Sequence, residues 1–287
     1  MNLLDVHSHL NHNDFAADLP EVLARAEQAG VKAILCSGVN PASNRQVLEL
    51  AKKYPIIKAS LGIYPIDALG LAEEDYGLPR QPIPINLKEE FAFIEKNKDT
   101  VAAIGEVGMD FYWATKEQTY EQQAENFRRI IRFTSKLHKP IVIHSRKAEE
   151  ECLDILEQEV NNGENNNQES NKPASNKPES SKPKIPVILH CFSGRKSLIT
   201  RAAALGYHFS IPPNILRSGS FQELVKKVDI KQLLTETDAP YLSPYPGKRN
   251  EPAFVLESIK KIAEIKKLTV EEAAERIWEN YGKVFLW

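Results

Sequence analysis

Short aliphatic and β-branched runs alternate with helix-period segments along most of the chain. The runs are residues 3–8 (LLDVHS), 32–37 (KAILCS), 56–61 (IIKASL), 101–106 (VAAIGE), 140–144 (PIVIH), 186–191 (PVILHC), 207–211 (YHFSI) and 233–238 (LLTETD). Each predicts a buried strand. Helical spacing predicts helices over 18–30, 43–53, 87–98, 117–138, 147–160, 195–205, 219–228, 253–266 and 269–281. Within 117–138, Phe127, Ile130, Ile131, Phe133, Thr134 and Leu137 follow a 3.6-residue period. Thr269 followed by Glu272 is a capping box for the last helix. Eight strand–helix units predict parallel strands joined by helical crossovers. Closed on themselves they make an α/β fold of the (β/α)8 TIM-barrel type, with its active site at the C-terminal strand ends. An open doubly wound sheet is the structural alternative, but no glycine-rich phosphate turn follows the first strand.

Residues 161–184 (NNGENNNQESNKPASNKPESSKPK) break this rhythm. They hold no aliphatic residue larger than Ala174 and no aromatic, and Lys-Pro recurs at 172–173, 177–178 and 182–183. Such a stretch buries too little apolar surface to offset its ordering entropy, so a disordered Asn/Ser/Lys/Pro-rich insertion is expected between the fifth helix and the sixth strand. The expected organisation is one barrel domain over 1–287, with this segment inside it. A chain of 287 residues is long enough to bury roughly three quarters of its surface.

Bulk charge narrows the choice of partners. With 37 basic and 39 acidic residues the net charge is −2, so a large electrostatic footprint on nucleic acid is excluded and any such contact is local. Cys36, Cys152 and Cys191 are odd in number and lack CxxC spacing, which predicts reduced thiols and a cytoplasmic protein. No apolar run reaches membrane-helix length, and the N-terminus lacks a signal-peptide pattern. Neither a membrane nor a stable protein partner is expected.

The chemistry lies in polar residues that end apolar runs. His7 and His9 are two apart, so on a strand both imidazoles share a face. Glu106 closes the fourth run, His144 the fifth, and His190 and Asp238 lie at or near the ends of the sixth and eighth. Singly, each has a plain explanation: a turn at Asp238-Ala239-Pro240, a cap at Glu106, a core histidine at His190. Jointly, six groups able to bind metal at one rim suit two divalent cations sharing a carboxylate. The donors fit Zn, Mn or Co and do not exclude Mg. Glu236 is two residues before Asp238, so both are expected to face the site. Arg146 stands two after His144, where it suits bidentate contact with phosphate, or is an ordinary arginine at a helix start.

The stretches DVHSHL (5–10), IGEVGMDFYW (104–113), KPIVIHSR (139–146), LHCFSG (189–194) and LLTETDAPYLSP (233–244) resemble the TatD family of metal-dependent deoxyribonucleases, in the amidohydrolase-like superfamily. The resemblance implies a TIM barrel, two divalent metal ions (Mg, Mn or Zn) and hydrolysis of DNA phosphodiester bonds. It implies metal ligation by His7, His9, Glu106, His144, His190 and Asp238, with Glu106 bridging and Asp238 orienting the attacking water or taking its proton. One departure stands out. The family often shows Gly-x-His-Pro after the third strand, and this chain reads Gly62-Ile63-Tyr64-Pro65. A tyrosine titrates near pH 10, so only a phosphate-positioning role is expected of Tyr64.

Three functions are compatible with these motifs. The first is a DNase trimming single-stranded 3′ ends bound transiently at the barrel mouth, with Phe111, Tyr112, Trp113 and Phe192 as candidates for stacking on bases. The second is a metal-dependent ester or amide hydrolase, such as one removing D-amino acids from tRNA. The third is a non-enzymatic scaffold that uses residues 161–184 to bind a partner.

Overall fold

In the computed structural model, eight strands pair in parallel in the order of the sequence. They are β1 (Leu3–Ser8), β2 (Val31–Ser37), β3 (Ile57–Ile63), β4 (Val101–Gly108), β5 (Ile141–His144), β6 (Val187–His190), β7 (His208–Ile211) and β8 (Leu233–Thr235). The structure describes residues 1–72, 77–161 and 185–285. Apart from its first residue, the expected insertion at 161–184 lies outside them.

The outer helices are α1 (Leu19–Gln28), α2 (Pro41–Lys53), α3 (Pro65–Ala68), α4 (Leu87–Lys96), α5 (Lys116–Leu137), α6 (Glu149–Leu156), α7 (Lys196–Ala204), α8 (Gly219–Lys227), α9 (Val255–Lys266) and α10 (Val270–Val284). Local chemistry sets their ends. Asn40 and Ser43 form a capping box at α2, with Pro41 in the first turn, and Thr269 with Glu272 does the same for α10. On α5, Phe127, Ile130, Ile131 and Thr134 are buried against the barrel, whereas Phe133 turns sideways to stack on Phe91 of α4 at 4.3 Å. The arrangement is the expected α/β TIM barrel, whose strands read as near-continuous apolar runs because both faces are covered.

Two local expectations fail. No helix is predicted between 53 and 87, yet the residues after Tyr64 form the short helix α3, started by Pro65 at its first position. The eighth run ends as a strand at Thr235, not at 238. The ladder with β7 stops after the bond from Glu236 N to Ile211 O (3.3 Å), where β7 itself ends before Pro212 and Pro213, and Asp5 holds the residues beyond. The Asp5 carboxylate accepts from the backbone N–H and the hydroxyl of Thr237 (2.9 and 2.5 Å), and Asp238 then takes a left-handed φ of 56°.

The seam between β8 and β1 closes with one bridge, Ser8 to Ala239, together with backbone bonds from Asp238 N to His7 O and from His9 N to Ala239 O (both 2.8 Å). Tyr281 of α10 reinforces it from outside. Its hydroxyl donates to Leu4 O (2.7 Å) and accepts from Thr235 N (3.0 Å), fully buried. Because a buried group left without its partner costs about 1–3 kcal/mol, Tyr281→Phe is expected to lower unfolding stability by that amount. Urea titration followed by circular dichroism measures it; an unchanged midpoint would show that the seam does not depend on this hydroxyl.

Candidate metal centre

The C-terminal strand ends bring His7, His9, Glu106, His144, His190 and Asp238 to one mouth. His7, His9 and Glu106 place ligand atoms within 4.8 Å of one another, as do Glu106, His144 and His190, and His7, His190 and Asp238. Glu106 belongs to two of these groups because its oxygens diverge. Oε2 lies 3.6 Å from His7 Nε2 and 3.5 Å from His9 Nε2, and Oε1 lies 2.6 Å from His144 Nδ1. Asp238 Oδ1 sits 3.7 Å from His7 Nε2, 3.6 Å from His9 Nε2 and 4.0 Å from His190 Nε2.

Each imidazole is held from behind by its other nitrogen. His9 Nδ1–H donates to Ser37 O (2.9 Å), and His7 Nδ1 meets Ser37 Oγ (3.1 Å). His144 Nε2 meets Asp110 Oδ2, and His190 Nδ1 meets Glu236 Oε2, both at 2.8 Å. Such partners fix ring orientation and leave the remaining nitrogen aimed at the centre. His7 Nε2 is buried with no hydrogen-bond partner. An orphaned imidazole nitrogen facing two carboxylates is unfavourable in a protein interior unless a cation completes it. The donor set thus fits a divalent metal.

The backbone is shaped for this convergence. Gly62 of β3 lies so close to β4 that a Cβ there would stand 2.2 Å from Glu106 N and 2.1 Å from Gly38 O, so only glycine lets the strand bearing Glu106 approach. Asp5 accepts from His7 N at 3.2 Å while holding Thr237, which ties the segments bearing His7 and Asp238 together.

Electrostatics follow from burial among carboxylates. Burial opposes the charge on His190, but Glu236, then Asp238 and Glu106, outweigh it and push its pKa up to about 10. Burial likewise opposes the charge on His144, and Glu106 with Asp110 pushes it up to about 9. Burial first, then the neighbouring His190 charge, lowers His7; the two rings stack with centroids 3.8 Å apart. Burial pulls Glu106 upward, but His144 above all holds it well below the ordinary carboxylate range.

Three sequence-derived roles need correction, and a fourth residue stands where it was expected. Phe192 is not at the surface for stacking: it is 2% exposed and packs on Phe209 at 5.7 Å. Glu236 does not face substrate. It is fully buried and accepts from Cys191 N (2.9 Å) and Ser210 Oγ (2.6 Å) besides contacting His190. Tyr64 lines the mouth, but its hydroxyl proton goes to Asp110 Oδ2 (2.7 Å). The phenol oxygen would then turn only lone pairs toward a phosphate, so it does not position one. Arg146 does reach the mouth, exposed, with its guanidinium 4.0 Å over the Tyr112 ring.

Sequence reasoning missed Ser37, Asp110 and Arg80. Ser37 ends β2 and was legible as one more polar strand end. Asp110 lies inside the 104–113 motif but two residues past β4. Arg80 lines the mouth from the stretch after α3, 3.7 Å from Asp67, and no local pattern marks it.

A cavity of about 580 Å³ opens over these groups, bordered by Tyr64, Arg80, Trp113, Arg146 and Tyr241. A barrel whose C-terminal mouth gathers imidazoles and carboxylates around such a cavity belongs to the class of metal-dependent hydrolases. The sequence pattern of the TatD related DNase family matches residues 4–286, and the chain belongs to that family. Human deoxyribonuclease TATDN3 is 34% identical over 289 residues, covering 99% of this chain and 95% of its own. An uncharacterized metal-dependent hydrolase of Bacillus subtilis, YabD, is 31% identical over 287 residues, covering 99% and 98%. The Salmonella typhimurium 3′-5′ ssDNA/RNA exonuclease TatD is 29% identical over 271 residues, covering 91% and 90%. Among the described residues no helix is long and apolar enough to cross a membrane.

Cations need neutral imidazole, so any held by His144 and His190 would compete with their protons. At pH 7 both carry protons in the metal-free protein; raising pH through about 9 to 10 removes that competition. Metal uptake at pH 7 is therefore expected to release protons, and affinity to rise with pH until about 10. Calorimetry in buffers of different ionisation enthalpy reads this directly, and buffer-independent heats would contradict it. Metal removal should leave the helix signal intact, because the barrel core is apolar; cooperative unfolding on chelation would mark the ions as structural.

Proposed function

We propose that the protein hydrolyses DNA phosphodiester bonds with two divalent cations, removing nucleotides from single-stranded 3′ ends. The observation that carries this reading is the divergence of Glu106: one oxygen faces His7 and His9 and the other faces His144, as a carboxylate shared between two ions would. His7, His9, Glu106, His144, His190 and Asp238 would hold the pair. When bound, such cations supply Lewis acidity that offsets charge on phosphoryl oxygens and makes water a stronger acid.

The chain's own groups complete the chemistry. Burial pulls Asp238 upward, but His9 first, then His190, holds it below its ordinary value, so it is ionised and able to take a proton from the attacking water. Its left-handed backbone and the bond from its N–H to His7 O fix it at the mouth. Arg146 offers N–H groups for phosphate oxygens that flank the reacting one. A cavity of this size accepts a chain end more readily than the middle of a duplex. The 3′-5′ single-strand activity for which the Salmonella relative is named supports the polarity and the single-strand preference. The three thiols, unpaired at Cys36, Cys152 and Cys191, agree with a reducing cytoplasm.

Protein stripped of metal and reloaded with manganese is expected to shorten a 5′-labelled single strand stepwise from its 3′ end, faster than it acts on a blunt duplex. Faster hydrolysis of aminoacyl esters than of any oligonucleotide would overturn the reading. Asp238→Asn is expected to lower kcat by about 10²–10⁴, the usual contribution of a general base, with the fold retained by circular dichroism. Wild-type turnover would remove Asp238 from the mechanism.

A further inference from the structure

Beside the cavity, Tyr112 and Trp113 are about half exposed, at 49% and 53%. Their rings meet edge to face, with centroids 4.9 Å apart. Arg146 lies over both, 4.0 Å from the Tyr112 ring centroid and 5.8 Å from that of Trp113, and Lys147 stands 5.1 Å over Tyr112. Trp113 and Arg146 also line the cavity. Among the described residues no carboxylate pairs with Arg146. The ring surface left in solvent favours a flat apolar ligand, and the two side-chain cations beside it favour an anionic one.

This pad is locked to the metal centre by one side chain. Asp110 Oδ1 accepts from the backbone N–H groups of Tyr112 (2.8 Å) and Trp113 (3.0 Å). Its Oδ2 contacts His144 Nε2 and accepts from Tyr64 OH. Gln123 of α5 seals the arrangement, accepting from Asp110 N (2.8 Å) and donating to Asp110 O (2.9 Å). From the other side, Phe111 N donates to Arg146 O (3.0 Å) and Met109 N to His144 O (3.1 Å). The aromatic pair, the arginine and a candidate ligand histidine thus form one rigid unit.

We infer that the Tyr112–Trp113–Arg146 pad is a binding subsite for the penultimate nucleotide of a single strand, whose unpaired base stacks on the Trp113 ring while the arginine holds its phosphate. The subsite rests on the proposed nuclease reading and adds a length and structure requirement to it. A base in a duplex has no free face to offer the pad, so the subsite selects single strands without reading sequence. Asp110 indexes the stacked nucleotide to the reacting linkage, so that each cleavage removes one residue.

The test compares manganese-loaded wild type, Trp113→Ala and Trp113→Phe on two 5′-labelled oligothymidylates, one intact and one abasic at the penultimate 3′ position. For wild type the abasic site is expected to raise KM about tenfold, within the range of base–aromatic stacking. Trp113→Ala should raise KM on the intact strand by a similar factor, and the abasic site should then add less than about twofold. Trp113→Phe, which keeps a ring, should retain most of the abasic effect. An abasic effect of equal size in wild type and Trp113→Ala would overturn the subsite while leaving the nuclease reading standing. Failure of wild type to cleave either strand would overturn the nuclease reading, and the subsite with it.

Discussion

Four carboxylates, Glu106, Asp110, Glu236 and Asp238, are gathered with four imidazoles at the end of an apolar barrel, and the rest of the mouth is arranged around keeping that charge there. Removing an ion from water costs several kcal/mol even after relaxation, unless opposite charge and hydrogen bonds replace hydration. Without cations the histidines supply the positive charge, which is why His144 and His190 hold their protons to about 9 and about 10. Divalent ions would replace those protons with more charge in the same space. His7, pressed against His190 and left with an orphaned Nε2, has no such protonic solution.

A cluster of this kind is only as specific as the shell that orients it. Ser37, Asp110 and Glu236 each occupy the outward nitrogen of at least one histidine, so that the inward nitrogens converge. Asp5 couples the two ends of the barrel seam, and through them His7 and Asp238. Gly62 lets β3 and β4 close up beneath Glu106. None of these residues would touch substrate, yet each sets where a group that would touch it points. Asp110 reaches furthest, since the same carboxylate that backs His144 carries the backbone of the aromatic pad.

Much of this was legible in the sequence because the fold is periodic. Eight apolar runs became eight strands, and the polar residues that end β1, β4, β5 and β6 met at one mouth because a parallel barrel puts all C-terminal ends on the same side. What escaped was what long-range contact decides. The β7 ladder ends at Ile211, and Glu236 and Asp238 then meet opposite nitrogens of His190, so only Asp238 lines the cavity. Phe192 reads as an exposed aromatic in its motif, but Phe209 on β7 covers it. Tyr64 reads as a phosphate donor until Asp110, 46 residues away, takes its proton. Arg80 and α3 lie in a proline-rich stretch where neither periodicity nor motif distinguishes a rim from a loop.

The convergence of six donors on a shared cation centre is tested most directly by anomalous diffraction from crystals grown with manganese. Two peaks are expected at the C-terminal mouth, with Glu106 between them, one facing His7 and His9 and the other facing His144. A mouth without anomalous density, with manganese bound elsewhere or not at all, would contradict that convergence.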